Sequence, residues 1–254
     1  MSFVGKTFRL LGFLKRHRRP KTAAVILAAG VGSRMQSCDG KTKQLMLLKG
    51  VPVFLHTVLA FDRAPTIDEI VLVIKKEEAK EIQRALRGAA PLKKPIRLVS
   101  GGDTRQDSAR RGLEAVSKDM MYVAVHDAAR CLVTPQMIDD VVLAAHRHRA
   151  ASAGCRVTDT IKLVSATGFV EKTLDRDRLF RAQTPQAFEK KLYYAATYVA
   201  YEEKRAVTDD NMLLEAIGQA VKMVDCGYEN IKVTTGEDLL LADAILDSRA
   251  LGAN

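Results

Sequence analysis

The chain has 254 residues, 47% of them apolar and 28% charged, with a formal net charge of +10. That length suits one large α/β domain or two small ones, and no apolar run approaches the ~18 residues a membrane span needs. The four cysteines, Cys38, Cys131, Cys155 and Cys226, are scattered without a C-x-x-C pair. This argues against a zinc site or disulfide framework and suits a reducing, cytoplasmic compartment.

The charge is concentrated at the start. Lys6, Arg9, Lys15, Arg16, Arg18, Arg19 and Lys21 all precede the first acidic residue, Asp39. The rest of the chain is only mildly basic, so overall charge makes no case for nucleic acid. Wound as a helix, residues 1–21 place Phe3, Val4, Phe8, Leu10, Leu11 and Leu14 on one face and Arg9 and Arg16 opposite. Such a segment can lie on an anionic membrane or dock on a partner. An extension without a role is the preferred reading, and membrane contact the less favoured one.

From Lys21 onward the pattern alternates. The apolar run Ala23–Leu27 predicts a buried strand, followed by strands at Glu69–Ile74, Ile96–Val99 and Tyr122–Val125. Helical patterns fall at Phe54–Phe61, Glu77–Leu86, Ser108–Val116 and Pro135–Ala145. This alternation predicts βαβ units, a mainly parallel sheet and helices on both faces. Beyond Ala153, Arg156–Val164 and Phe169–Leu174 read as strands joined by the turn Ser165-Ala166-Thr167-Gly168. Helices follow at Lys190–Glu203 and Asn211–Ile217, then a strand at Val221–Asp225, the segment Asn230–Thr234 and a helix at Glu237–Leu246. The simplest organisation is a 1–21 extension and one domain over 22–254 with an inserted arm at about 155–178.

The most informative stretch is Leu27-Ala-Ala-Gly-Val-Gly-Ser-Arg-Met35. Glycines after a strand let backbone amides converge on an anion, and Arg34 adds a planar fork suited to phosphate. A dinucleotide fingerprint would need glycine where Met35 stands. A P-loop ending in Gly40-Lys41-Thr42 needs glycine at that same position. Ligands of parallel sheets bind beyond the strands' carboxyl ends, which gathers this loop, Gly101-Gly102-Asp103 and His126-Asp127 at one edge. Read alone, Gly101-Gly102-Asp103-Thr104 is a turn with Thr104 or Ser108 as a helix cap. Asp127, after a strand, is a candidate Mg²⁺ ligand, directly or through water. His126 reads as structural, and His146 and His148 diverge on their helix.

The order of these motifs carries more than any one of them. After Leu27–Met35 come Lys43-Gln44, then G-G-D-T-R-Q-D-S at 101–108 and H-D-A-A-R at 126–130. D-T-I-K at 159–162, D-R-D-R-L-F-R-A-Q-T-P-Q at 175–186, Thr208-Asp209 and N-I-K-V-T at 230–234 complete the series. This series, over roughly residues 21–246, resembles the cytidylyltransferases acting on 2-C-methyl-D-erythritol 4-phosphate in non-mevalonate isoprenoid synthesis. The chain departs from that family's pattern at Leu27 and Thr42, where proline is usual, and carries a small insertion before Lys43.

The resemblance implies a Rossmann-like, mainly parallel α/β sheet of the nucleotide-diphospho-sugar transferase type with a β-hairpin dimerisation arm. It implies transfer of CMP from CTP to the acceptor phosphate with release of pyrophosphate, a Mg²⁺ or other divalent cofactor, and a homodimer. Arg34 and Lys43 would stabilise the triphosphate charge, Lys41 being the rival of Lys43. Leu27, Ala28, Ala29, Gly30, Gly32, Gly102, Asp103, Ser108 and Ala128 would bind the nucleotide. Arg176, from a partner subunit, and Lys232 would position the acceptor phosphate, with Asp127, Asp159, Thr160, Thr184 and Thr208 around it. The competing readings are a cytidylyltransferase for ribitol 5-phosphate or another polyol phosphate, a sugar-nucleotide pyrophosphorylase using UTP or GTP, and a non-catalytic nucleotide- or membrane-binding module.

Overall fold

A computed structural model describes residues 19–30 and 42–252. The amphipathic pattern of residues 1–18, and the expectations for Gly32, Arg34 and Lys41, lie outside the described residues. At the start of the described chain, the Arg19 guanidinium pairs with Asp68 at 2.8 Å and Lys21 Nζ with Asp119 at 2.6 Å.

Strand β1 (Thr22–Leu27) is buried along its whole length. A strand covered on both faces needs apolar residues at every position, which explains its uninterrupted run. Its alternate residues feed two cores. Ala24 and Ile26 pack with Phe54, Phe61, Ile82 and Ile138 on one side, and Ala23 and Val25 with Leu113, Phe188, Tyr193 and Leu213 on the other.

A short hairpin, β2 (Leu47–Leu48) and β3 (Val51–Pro52), turns through Lys49 and Gly50, both at positive φ, into helix α1 (Val53–Arg63). Next come β4 (Glu69–Ile74), α2 (Ala79–Gly88), β5 (Ile96–Ser100), α3 (Arg105–Glu114), β6 (Tyr122–Asp127) and α4 (Pro135–His148). Then follow β7 (Ala150–Arg156), the hairpin β8 (Lys162–Val164) and β9 (Val170–Thr173), β10 (Phe180–Glu189), α5 (Lys190–Glu202), α6 (Asn211–Ala216), β11 (Lys222–Asp225) and α7 (Gly236–Leu251). The sheet order is β11-β7-β10-β6-β1-β4-β5. All pairings in it are parallel except those of β10 with β6 and β7. The predicted mainly parallel sheet with helices on both faces is therefore present.

Several predicted boundaries need correction. Arg156–Val164 is not one strand. Arg156 ends β7 in the main sheet, and only Lys162–Val164 belongs to the arm. The sequence Ala-Ala-Ser-Ala-Gly-Cys of β7 lacks the β-branched residues that mark strands, and burial between β10 and β11 gives it its conformation. Strand β10 carries Pro185, which argues against a central strand, and the ladder to β7 shifts register between Ala182 and Gln186, around the proline. The helix predicted from Ser108 begins at Arg105, capped by Thr104. The closing helix runs on to Leu251 rather than Leu246, opened by a capping box of Thr235 and Asp238.

The arm stands apart from both cores. Every residue of β8 and β9 is exposed, and the linking turn uses Gly168 at φ +88°. Among the described residues, no helix is long and apolar enough to cross a membrane.

Candidate active site

Strand β1 has β4, reached through α1, on one side and β6, reached from β5 through α3, on the other, so the strand order reverses there. A crevice opens beyond the carboxyl ends of such strands. Here it is a cleft of about 220 Å³ whose lining includes Leu27, Ala29, Gly30, Lys43, Gly102, Asp103, Ser108, Asp127 and Lys232. All nine are predicted site residues.

One wall is the turn from β5 into α3. Gly101 N–H donates to Ile74 O at 2.9 Å, and Arg111 Nη1 donates to Gly101 O at 2.7 Å. A Cβ on Gly101 would collide with Ala29 Cβ, and one on Gly102 with Asp107 Cβ. Glycine is required there because the backbone passes so close to its neighbours. Gly102 N–H donates to Ser108 Oγ at 3.1 Å, so Ser108 braces the turn and is not the helix cap. That role falls to Thr104, whose Oγ1 accepts from Asp107 N–H at 3.0 Å. The positive end of α3 therefore opens on the cleft.

The floor is Asp127 at the end of β6. Its Oδ1 lies 3.2 Å from Arg105 Nε and its Oδ2 2.7 Å from Lys232 Nζ. Burial alone would push this carboxyl up, but the Arg105 guanidinium and Lys232 ammonium outweigh it and hold the group well below the usual carboxylate range. Lys232 reaches Asp127 because the segment around it is fastened to the residues after β6. Val233 N–H donates to Ala129 O at 2.8 Å, Arg130 Nη1 to Asn230 O at 2.9 Å, and Asn230 Nδ2 to Thr184 O at 2.9 Å.

His126 is structural, as expected. It is fully buried, and burial pushes its pKa down to about 3. The neutral ring lies 3.3 Å from Arg130 O through Nε2 and 3.1 Å from Thr184 Oγ1 through Nδ1. A carbonyl only accepts, so Nε2 carries the proton and Nδ1 accepts from the threonine. Thr184 Oγ1 in turn accepts from Asp127 N–H at 3.1 Å. It supports the floor from beneath and does not line the cleft.

Other predicted residues lie elsewhere. Ala28 and Ala128 are fully buried in the core, tied by backbone bonds to Val73 O and Leu27 O. Thr208 Oγ1 donates to Met212 Sδ at 3.1 Å. Asp159 and Thr160 are exposed at the base of the arm, and Arg176 sits in a single 3-10 turn, donating from Nη1 to Thr158 O at 3.1 Å. Within this one chain they do not line the cleft. Sequence reasoning missed Arg105, Thr104, Gln44 and Ala129 as cleft residues. Arg105 had one signal, its place in the motif at 101–108.

The comparisons agree with this geometry. The profile of the family described as IspD, 2-C-methyl-D-erythritol 4-phosphate cytidylyltransferase, matches residues 22–248. The 2-C-methyl-D-erythritol 4-phosphate cytidylyltransferase of Syntrophus aciditrophicus is 40% identical, covering 90% of this chain and 97% of that protein. The protein of that name from Caldanaerobacter subterraneus is 41% identical, covering 88% and 98%. A crystal structure of 4-diphosphocytidyl-2C-methyl-D-erythritol synthase from Anaerococcus prevotii superposes with a TM-score of 0.81 at 32% identity, covering 90% of this chain and 96% of that one. That of the Thermus thermophilus cytidylyltransferase gives 0.69 at 29% identity, covering 89% and 98%. The chain belongs to the 2-C-methyl-D-erythritol 4-phosphate cytidylyltransferase family.

Proposed function

We propose that this protein transfers CMP from CTP to 2-C-methyl-D-erythritol 4-phosphate, giving 4-diphosphocytidyl-2-C-methyl-D-erythritol and pyrophosphate. The observation that carries the reading is the cleft, where a glycine turn, a helix N-terminus, Lys43 and the Asp127–Lys232 pair converge in a chain of this family. An oxygen of the acceptor phosphate attacks the α-phosphorus of CTP, and the bond to the β-phosphate bridging oxygen breaks. The attacking phosphate is already anionic and needs no base, which is consistent with a neutral, sealed His126. Phosphoryl chemistry of this kind asks mainly for positioning and charge neutralisation.

Arg34 and Lys43 neutralise the triphosphate, Lys43 in preference to Lys41. The backbone at Leu27–Gly30 and Gly32 follows the phosphates, backed by Ala28 and Ala128. Gly102, Asp103 and Ser108 read the cytosine edge. Lys232 moves from Asp127 to the acceptor phosphate, and Arg176 meets that phosphate from a second subunit, with Asp159, Thr160, Thr184 and Thr208 nearby. The exposed apolar residues of the arm, Leu163, Val164, Phe169 and Val170, support such a homodimer.

Among the described residues no cluster of three or more metal-binding side chains occurs. The cleft does hold the carboxylates Asp103 and Asp127. One or two carboxylates together with substrate phosphates fit Mg²⁺, which retains most of its waters. When bound, the cation neutralises the triphosphate. Residues 22–254 act as the catalytic domain in the cytoplasm, with residues 1–21 as an extension to it. Pyrophosphate release from CTP that depends on methylerythritol phosphate tests the reading.

A further inference from the structure

One buried carboxylate has no part in the cleft yet is connected to its floor. Asp210, immediately before α6, is 1% exposed. Its Oδ1 accepts from Tyr193 Oη at 2.6 Å, and its Oδ2 lies 2.8 Å from Arg105 Nη2. Its backbone N–H donates to Gln186 Oε1 at 3.0 Å, so β10, α5 and α3 all fix it. Tyr193 is itself fully buried and stacked on Phe188, with ring centroids 5.0 Å apart.

Arg105 is therefore ion-paired to two carboxylates, to Asp210 through Nη2 and to Asp127 through Nε. A planar guanidinium held at Nη2 also fixes the direction of the neighbouring Nε–H. The second cation on Asp127 differs in kind. Lys232 is a point charge on a flexible stem, with its side chain 38% exposed. When Lys232 turns to an incoming phosphate, Asp127 would be left facing anionic groups without a counter-charge. Arg105 stays, because Asp210 holds it.

We propose that the Asp210–Arg105 pair is a positioning device that keeps the Asp127 carboxylate in place while Lys232 transfers to the acceptor phosphate. The inference rests on the proposed cytidylyl transfer. It makes Lys232 the exchangeable partner of Asp127 and Arg105 the permanent one.

A double-mutant cycle of Asp210→Asn and Asp127→Asn tests it, read as kcat/KM for methylerythritol phosphate at saturating CTP. Asp210→Asn alone lowers that value about tenfold, the usual scale for losing a group that orients a reacting one, with the KM for CTP nearly unchanged. In the Asp127→Asn background the same change has no further effect, because its only route is gone. An equal loss in both backgrounds, or none in the native one, overturns the proposal. If Asp127→Asn turns over too slowly to follow, the cycle is read as calorimetric affinity for the acceptor beside a non-hydrolysable CTP analogue. If Asp210→Asn does not fold, Tyr193→Phe replaces it, with a smaller loss and the same dependence on Asp127. A crystal structure of the same Asp210 or Tyr193 variant judges the anchoring without any turnover. Arg105 displaced from Asp127 supports the proposal, and Arg105 still within hydrogen-bond reach of it overturns it. Native protein that is silent with both substrates would sink the reaction, while the crystal structure would still decide the anchoring.

Discussion

Leu27 and Asp127 end strands in which every residue is buried, whereas every residue of the β8–β9 arm is exposed. The cleft between the strand ends is fixed by the core beneath it. Thr184 supports Asp127 from below, Ser108 and Arg111 hold the glycine turn, and Asn230 carries Lys232 into place. A two-stranded hairpin has no core of its own, and Phe169 on this one is 75% exposed. In the proposed homodimer, the difference would separate the part of the site that one chain organises alone from the part that a second chain completes. Of the residues proposed for the acceptor, Asp127 and Lys232 line the cleft, while Arg176, Asp159 and Thr160 lie outside it.

The largest test of that division is Lys43→Ala. If Lys43 acts on charge developing at the triphosphate, kcat falls roughly 10²–10³-fold with a much smaller change in the KM for CTP. A rise in that KM at unchanged kcat would make Lys43 a ground-state contact only. Arg176→Ala in the arm and Lys232→Ala in the cleft are both expected to raise the acceptor KM about tenfold or more, leaving the KM for CTP near native. Unchanged acceptor kinetics would remove either residue from the acceptor site.

Mixing the two kinds of variant sharpens the comparison. With the acceptor held well below KM, where each variant alone keeps about a tenth of native activity or less, mixed Lys43→Ala and Arg176→Ala subunits should regain roughly a quarter of native activity if the arm completes its neighbour's site, because half of the dimers then hold one intact site. No recovery on subunit exchange would leave each arm serving its own cleft. The smallest effect is on stability. His126 has its pKa lowered to about 3 by burial, and His146 is also lowered by burial. The unfolded chain binds those protons near pH 6.5, so stability is complete above that and falls as the pH drops toward the folded values. Each such histidine contributes up to about 1.4 kcal/mol per pH unit within its window. Urea unfolding between pH 7 and pH 4 would show this slope, and replacing His126 by Gln should flatten it.

The sequence revealed the strands that the sheet buries on both faces and concealed those shaped by their neighbours. The runs Ala23–Leu27, Ile70–Ile74 and Tyr122–Val125 within β1, β4 and β6 are apolar because both faces are covered. β7 is built from small residues and β10 is interrupted by Pro185, so neither shows a strand pattern, and their pairing is decided by the sheet they enter. The site divides similarly. Asp127 stands at a strand end and was readable there, whereas Gly102 and Ser108 alone read as a turn and a possible helix cap and were assigned to the site through resemblance. The link from Arg105 to Asp210 joins two segments more than 100 residues apart, and neither segment holds a local sign of the other. Lys232 was assigned through resemblance, and its 2.7 Å approach to Asp127 depends on Asn230 and Val233, a tertiary arrangement that periodicity cannot express.

The most direct measurement is pyrophosphate release with CTP and Mg²⁺, run in parallel with methylerythritol phosphate and ribitol 5-phosphate. Turnover selective for methylerythritol phosphate is the predicted result. Turnover with ribitol 5-phosphate alone, or with neither acceptor, would contradict the account.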